Sequence, residues 1–66
     1  MKNSLKVERA ILNITQGELA EKISVSRQTI NAIEAGKYVP STVLALKLAR
    51  LFSKPVESFF TLEDED

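Results

Sequence analysis

A chain of 66 residues makes one small domain, of a size that buries only about 60% of the surface its unfolded form exposes, so a deep catalytic cavity is not expected. It has no Cys and no His, which removes disulfides, thiol nucleophiles, imidazole acid–base chemistry and nearly all zinc and haem sites. Nine Lys and Arg meet nine Asp and Glu, but four of those acids are Glu63, Asp64, Glu65 and Asp66, which leaves residues 1–62 with a surplus of four positive charges. A neutral total therefore does not exclude a nucleic-acid partner. Residues 63–66 read as a solvated acidic tail, or as a brake on nonspecific DNA binding through repulsion of phosphate. With 44% hydrophobic and 27% charged residues the composition is globular rather than disordered. No apolar run is long enough to cross a bilayer, and Met1-Lys2-Asn3-Ser4 leads into a charged helix rather than a signal peptide. The expectation is a soluble, cytoplasmic domain without metal or cofactor and without a membrane partner.

In chain order, Leu5 to Leu12 reads as a first helix, with Leu5, Leu12 and the stem of Arg9 on its inner side and Asn13 ending it. Thr15-Gln16-Gly17-Glu18 fits a capping box, in which the Thr15 hydroxyl and the Glu18 carboxylate satisfy each other's backbone amides. The second helix, Gln16 to Lys22, buries Leu19, Ala20 and Ile23. Gly17 within it weakens it by about 1 kcal/mol against alanine. Ser24-Val25 makes a turn, and Ser26 caps a third helix, Arg27 to about Ala35, with Ile30, Ile33 and Glu34 inward. Gly36 suits the left-handed residue that ends it.

Pro40-Ser41-Thr42 begins a fourth helix running to about Phe52, whose apolar residues cover more than one face. Pro55 opens a fifth, Val56 to Phe60, where a missing amide costs nothing. No alternating strand pattern is present. The fold class is all-α, five short helices around one core.

Two short capped helices joined by a tight turn, at about residues 16–35, form a helix-turn-helix. Reading base edges in the major groove requires long side chains with several hydrogen-bonding groups at the first turn of the second helix. Ser26-Arg27-Gln28-Thr29, with Asn31 one turn on from Arg27, supplies them. Arg bonds guanine bidentately, and Gln or Asn bonds adenine. Read in isolation, Arg27-Gln28 is equally a solvated helix start.

Thr15-Gln16-Gly17-Glu18-Leu19-Ala20-Glu21-Lys22, then Val25 through Glu34, then Gly36-Lys37-Tyr38-Val39-Pro40-Ser41 and Leu44 through Ala49, resemble the Cro and phage-repressor (xenobiotic-response-element) helix-turn-helix family. The likeness covers about residues 4–60 and implies a lambda-repressor-like DNA-binding domain at 1–62. It implies base reading by Arg27, Gln28 and Asn31. Backbone contacts would come from Gln16 with its capping neighbour Thr15, from Ser26 and Thr29, and from Lys37 and Tyr38, the alternative for that pair being a packed Tyr38 beside a surface Lys37. Arg9 and Glu34 match an internal ion pair joining the first and third helices. By the same likeness, Lys2-Asn3 pairs with Thr61-Leu62 in a minimal β-ribbon. The chain departs from the family at Glu8, where relatives often carry an apolar residue, and at Val7 and Ile11, which are apolar on a side often polar.

Adjacent helix positions point about 100° apart, so one of Phe59 and Phe60 is expected in the core and the other outside. With Val56, Leu62 and the surplus apolar side of the fourth helix, that exceeds what a small monomer hides and predicts a dimer interface. The function expected is a homodimeric, sequence-specific DNA-binding transcriptional regulator, a repressor on an inverted-repeat operator. A second protein or its own concentration would set its occupancy, since there is no room for an ordinary ligand pocket. The alternatives are an antitoxin or restriction–modification controller and, from another class, a protein-interaction module without DNA binding. No nucleophile–base set, phosphate loop or metal cluster points to an enzyme.

Overall fold

The computed structural model describes residues Met1–Asp66. In chain order they form strand β1 (Lys2–Asn3), helices α1 (Leu5–Leu12), α2 (Gln16–Lys22), α3 (Arg27–Glu34) and α4 (Thr42–Phe52), a 3₁₀ turn (Val56–Ser58) and strand β2 (Phe60–Thr61). Each α-helix starts where local chemistry satisfies its free amides. Thr15 and Glu18 form the reciprocal capping box of α2, Ser26 accepts from the Thr29 amide, and Ser41 accepts from the Leu44 amide. At α1 the cap comes from one residue earlier than Ser4: Asn3 Oδ1 accepts from the Leu5 amide at 3.2 Å. All four helices stop in the same way, on a left-handed residue at Asn13, Ser24, Gly36 and Ser53. After α3 the Gly36 amide donates to Ile33 O and the Lys37 amide to Ala32 O, the paired bonds of a Schellman ending.

The fifth helix is the one element that does not form as expected. Val56–Ser58 makes only a single 3₁₀ turn, and the chain then extends into β2. Pro55 starts the turn, but Phe60 is drawn into pairing with β1, where the register is Lys2 opposite Thr61 and Asn3 opposite Phe60. The ribbon expected from Lys2-Asn3 and Thr61-Leu62 therefore exists one residue earlier on its second strand. The Ser4 amide donating to Phe59 O at 2.9 Å extends the same contact.

The core is a cluster of Leu5, Leu19, Ala20, Ile23, Ile30, Ile33, Leu44, Leu48, Phe52, Phe59 and Phe60. Both terminal phenylalanines belong to it, at 2% and 6% exposure, so neither faces outward. Phe59 ends the 3₁₀ turn at φ −133°, ψ −3° and Phe60 begins β2, so the helical 100° offset does not govern this pair. Phe59 stands edge-on to Phe52 with ring centres 5.1 Å apart and meets Phe60 at 5.2 Å, arrangements that favour aromatic quadrupoles. Leu12, expected inside, is exposed, as are Val7 and Ile11 on α1 and Val43 and Leu46 on α4. No helix is long and apolar enough to cross a membrane.

Glu8 forms an ion pair within the fold. Its side chain is buried, and Lys54 Nζ donates to its Oε1 at 2.8 Å from the loop after α4. Lys54 remains 40% exposed while Glu8 is 8% exposed, so the two ends of the pair are not equivalent. Lys54→Met is expected to destabilise the fold by about 1–3 kcal/mol, because it leaves a buried carboxylate unpartnered. Glu8→Met puts an apolar chain into an apolar site, leaves only a half-solvated ammonium, and is expected to be near neutral. Urea unfolding of both variants checks this asymmetry, which equal losses would contradict.

Candidate nucleic-acid interface

The α2–turn–α3 unit is held by apolar residues on its inner side and leaves a polar outer side. Leu19, Ala20, Ile23, Ile30 and Ile33 are buried, and Val25 packs partly against them. The turn closes through the Val25 amide on Ala20 O at 2.9 Å, with Ser24 in the left-handed region at φ 61°. A non-glycine residue is uncommon there, and the turn sets the angle at which α3 leaves α2.

Opposite this anchored side, Arg27, Gln28 and Asn31 are all exposed. Arg27 and Asn31 are four residues apart on one face of α3, with Gln28 adjacent on the first turn. The stem of Arg27 passes over Gly17, where an added Cβ would lie 3.8 Å from Arg27 Cδ. That is ordinary contact, so packing does not demand the glycine. Ser26 Oγ and Thr29 Oγ1 are 2.9 Å apart, and Ser26 Oγ also accepts the Thr29 amide at 3.1 Å. Both hydroxyls are thus used in forming the start of α3.

Two open grooves flank the helix start. One is lined by Arg9, Asn13, Thr15, Gln16 and Arg27 and lies where α1, α2 and α3 converge. The other is lined by Ser26, Gln28, Thr29 and Tyr38. The fold therefore brings Thr15 and Gln16 to one flank of the exposed α3 start, and Tyr38 to the other. Lys37 is exposed beyond the end of α3, with its amide tied to Ala32 O. Asn13 also lines the first groove. In the sequence it marks the end of α1, and its place before the α2 cap is the one signal that it faces this cleft. Val56 is half-buried on the core and Leu62 is 76% exposed, so of the four apolar residues expected at a dimer interface only these two have surface to offer.

Beneath the first groove lies the ion pair. Arg9 Nε donates to Glu34 Oε2 at 2.6 Å and Nη2 to Glu34 Oε1 at 3.1 Å, a bidentate fork, while Nη1 donates to Ile14 O at 3.1 Å. Gln16 Nε2 donates to the same Glu34 Oε1 at 3.1 Å, and Asn31 Nδ2 reaches Gln16 Oε1 at 3.4 Å. Burial pushes the Glu34 carboxyl upward. The hydrogen bonds from Arg9 and Gln16, with the charges of Arg9 and Lys6, outweigh burial and hold the group below its ordinary value. Glu34 in turn raises Arg9, first through its hydrogen bond.

A capped α3 with its first turn exposed, on a helix pair anchored from behind, has the form of a helix-turn-helix. The helix-turn-helix family profile matches residues 5–59. The chain belongs to the Cro and phage-repressor helix-turn-helix family. This is a family of DNA-binding regulators, not of enzymes. Among its relatives, an uncharacterized HTH-type transcriptional regulator of Methanocaldococcus jannaschii is 54% identical over 66 residues, covering all of both chains. A second, from Bacillus subtilis, is 48% identical over the full length of both. A third, from Archaeoglobus fulgidus, is 44% identical, covering all of this chain and 93% of its own.

Proposed function

We propose that the protein is a sequence-specific transcriptional regulator, a homodimeric repressor that occupies an inverted-repeat operator in the cytoplasm. The observation that carries this reading is the exposed Arg27-Gln28 turn of α3, capped by Ser26 and backed by buried Ile30 and Ile33. Arg27, Gln28 and Asn31 read bases in the major groove. Thr15, Gln16, Ser26, Thr29, Lys37 and Tyr38 contact the backbone on either side, which supplies most of the affinity and its salt dependence. Residues 1–62 are the DNA-binding domain, with 63–66 an acidic tail outside it. The dimer forms through Leu62 and Val56, so half-sites lie about one helical turn (~10 bp) apart. Such a chain represses by occupying the promoter region, and a second protein or its own concentration sets occupancy.

Selection from a random duplex library at near-physiological salt tests this directly. An enriched inverted repeat supports the dimeric reader. A single half-site sinks the symmetric dimer, and no enrichment by the folded protein favours an interaction module. Lys37→Ala is expected to weaken every duplex by the same factor and to lower the salt slope by about one unit. A loss confined to one sequence would refute its phosphate role.

A further inference from the structure

We infer that the buried Arg9–Glu34 pair does more than join α1 to α3: Glu34 is a positioning residue that, through Gln16, sets the orientation in which Asn31 meets a base. The inference rests on the DNA-reading function proposed above. A carboxylate carries only acceptors, so Glu34 Oε1 can face only the amide nitrogen of Gln16, and it does so at 3.1 Å. That choice turns Gln16 Oε1 away from Glu34 and towards α3. There it can meet only a donor, and Asn31 Nδ2 lies 3.4 Å from it. The second contact is long, a rest for the Asn31 amide rather than a clamp.

One buried charge thus dictates the sense of two successive amides. Without it each could turn by 180° and exchange donor for acceptor. With it, Asn31 keeps Oδ1 and its second Nδ2–H free, one acceptor and one donor, the pair that the N6 and N7 edge of adenine requires. Glu34 is itself immobile because the Arg9 fork holds both of its oxygens. An ion pair that served only to tie helices together would need no bond to Gln16.

The test separates architecture from positioning. The Arg9→Met/Glu34→Met double variant removes the pair without stranding either charge, an exchange that folds often tolerate. Gln16→Met removes the relay at the surface and leaves the pair intact. Asn31→Ala first identifies the base position that Asn31 reads, by duplex selection on the full-length protein. Both relay variants are then expected to lose roughly tenfold of the discrimination at that same position, with the other positions unchanged. Thermal melting establishes that each variant is folded. If folded double variant and Gln16→Met both keep the wild-type base preference, weakening all duplexes alike or none, the inference is overturned while the DNA-reading function stands. If the double variant fails to fold, Glu34→Gln takes its place, since its side-chain amide no longer fixes the sense of the Gln16 amide: relaxation at the Asn31 position supports the inference, and an intact preference there overturns it. A wild-type protein that enriches no sequence removes the DNA reading and this inference together.

Discussion

Replacing Arg27 with alanine is expected to weaken binding to the selected operator by about 1–3 kcal/mol, roughly a fivefold to 150-fold rise in Kd. The loss should fall on one base position, which becomes indifferent to sequence, while binding to unrelated duplexes declines only by the value of one charge. Both consequences follow from where the side chain sits. Arg27 is exposed on the first turn of α3, and its stem lies along Gly17, so truncation removes the guanidinium without opening a cavity. Gln28→Ala is expected to act in the same way at a neighbouring position. Titration of each variant against the operator and a scrambled duplex is the measurement. Wild-type affinity and preference in both variants would mean that α3 is not the reading helix.

The second large effect concerns stability. Arg9 and Glu34 are 15% and 9% exposed, and the fork between them is the main polar link from α1 to α3. Arg9→Ala is expected to cost about 3–5 kcal/mol, because it strands a carboxylate among buried groups. In a domain whose whole stability is of order 5–15 kcal/mol, that is a large share of the total. The same pair gives stability a pH dependence of known sign. The Glu34 carboxyl lies below its ordinary value of 4.5 in the folded state, so its contribution is complete above that pH and is lost as the pH falls through the lowered value. Glu18 and Asp66 are shifted in the same direction by their backbone hydrogen bonds at the surface and add to the trend. Melting temperature is therefore expected to fall on acidification below about 4.5. In Glu34→Gln the acid limb should be shallower, because the one part-buried carboxylate of these three is gone. An unchanged acid limb would assign the dependence to the surface carboxylates.

Much of the fold was legible because it is written locally. The Thr15–Glu18 box, the Ser26 and Ser41 caps, and the left-handed ends at Asn13 and Gly36 each involve residues within a few positions of one another. Such contacts can be read from spacing alone. Arg9 and Glu34 are 25 residues apart and were recognisable only through resemblance. Glu8 and Lys54, 46 apart, were not recognisable as a pair. Nor was the Asn3 side chain, whose Nδ2 donates to Ile33 O at 2.7 Å and so ties β1 to the end of α3. Leu12 and Phe60 mark the limit in both directions. A helical pattern placed Leu12 inside and left one phenylalanine free, whereas the structure exposes Leu12 and buries both Phe59 and Phe60. Periodicity states which residues share a face, but not which neighbour covers that face.

The sequence by itself determined the helix starts and stops, the inward stripe of α3 and the density of Arg, Gln and Asn towards its N-terminal end. Backbone capping and amphipathic spacing are short-range, and they hold whatever the rest of the chain does. Tertiary structure alone decided that residues 60–61 extend into a strand instead of completing a helix, that a buried Glu8 finds its cation in Lys54, and that Glu34 accepts from Gln16 as well as from Arg9. Each of these depends on elements distant in sequence arriving within hydrogen-bond reach, and no local propensity encodes that arrival.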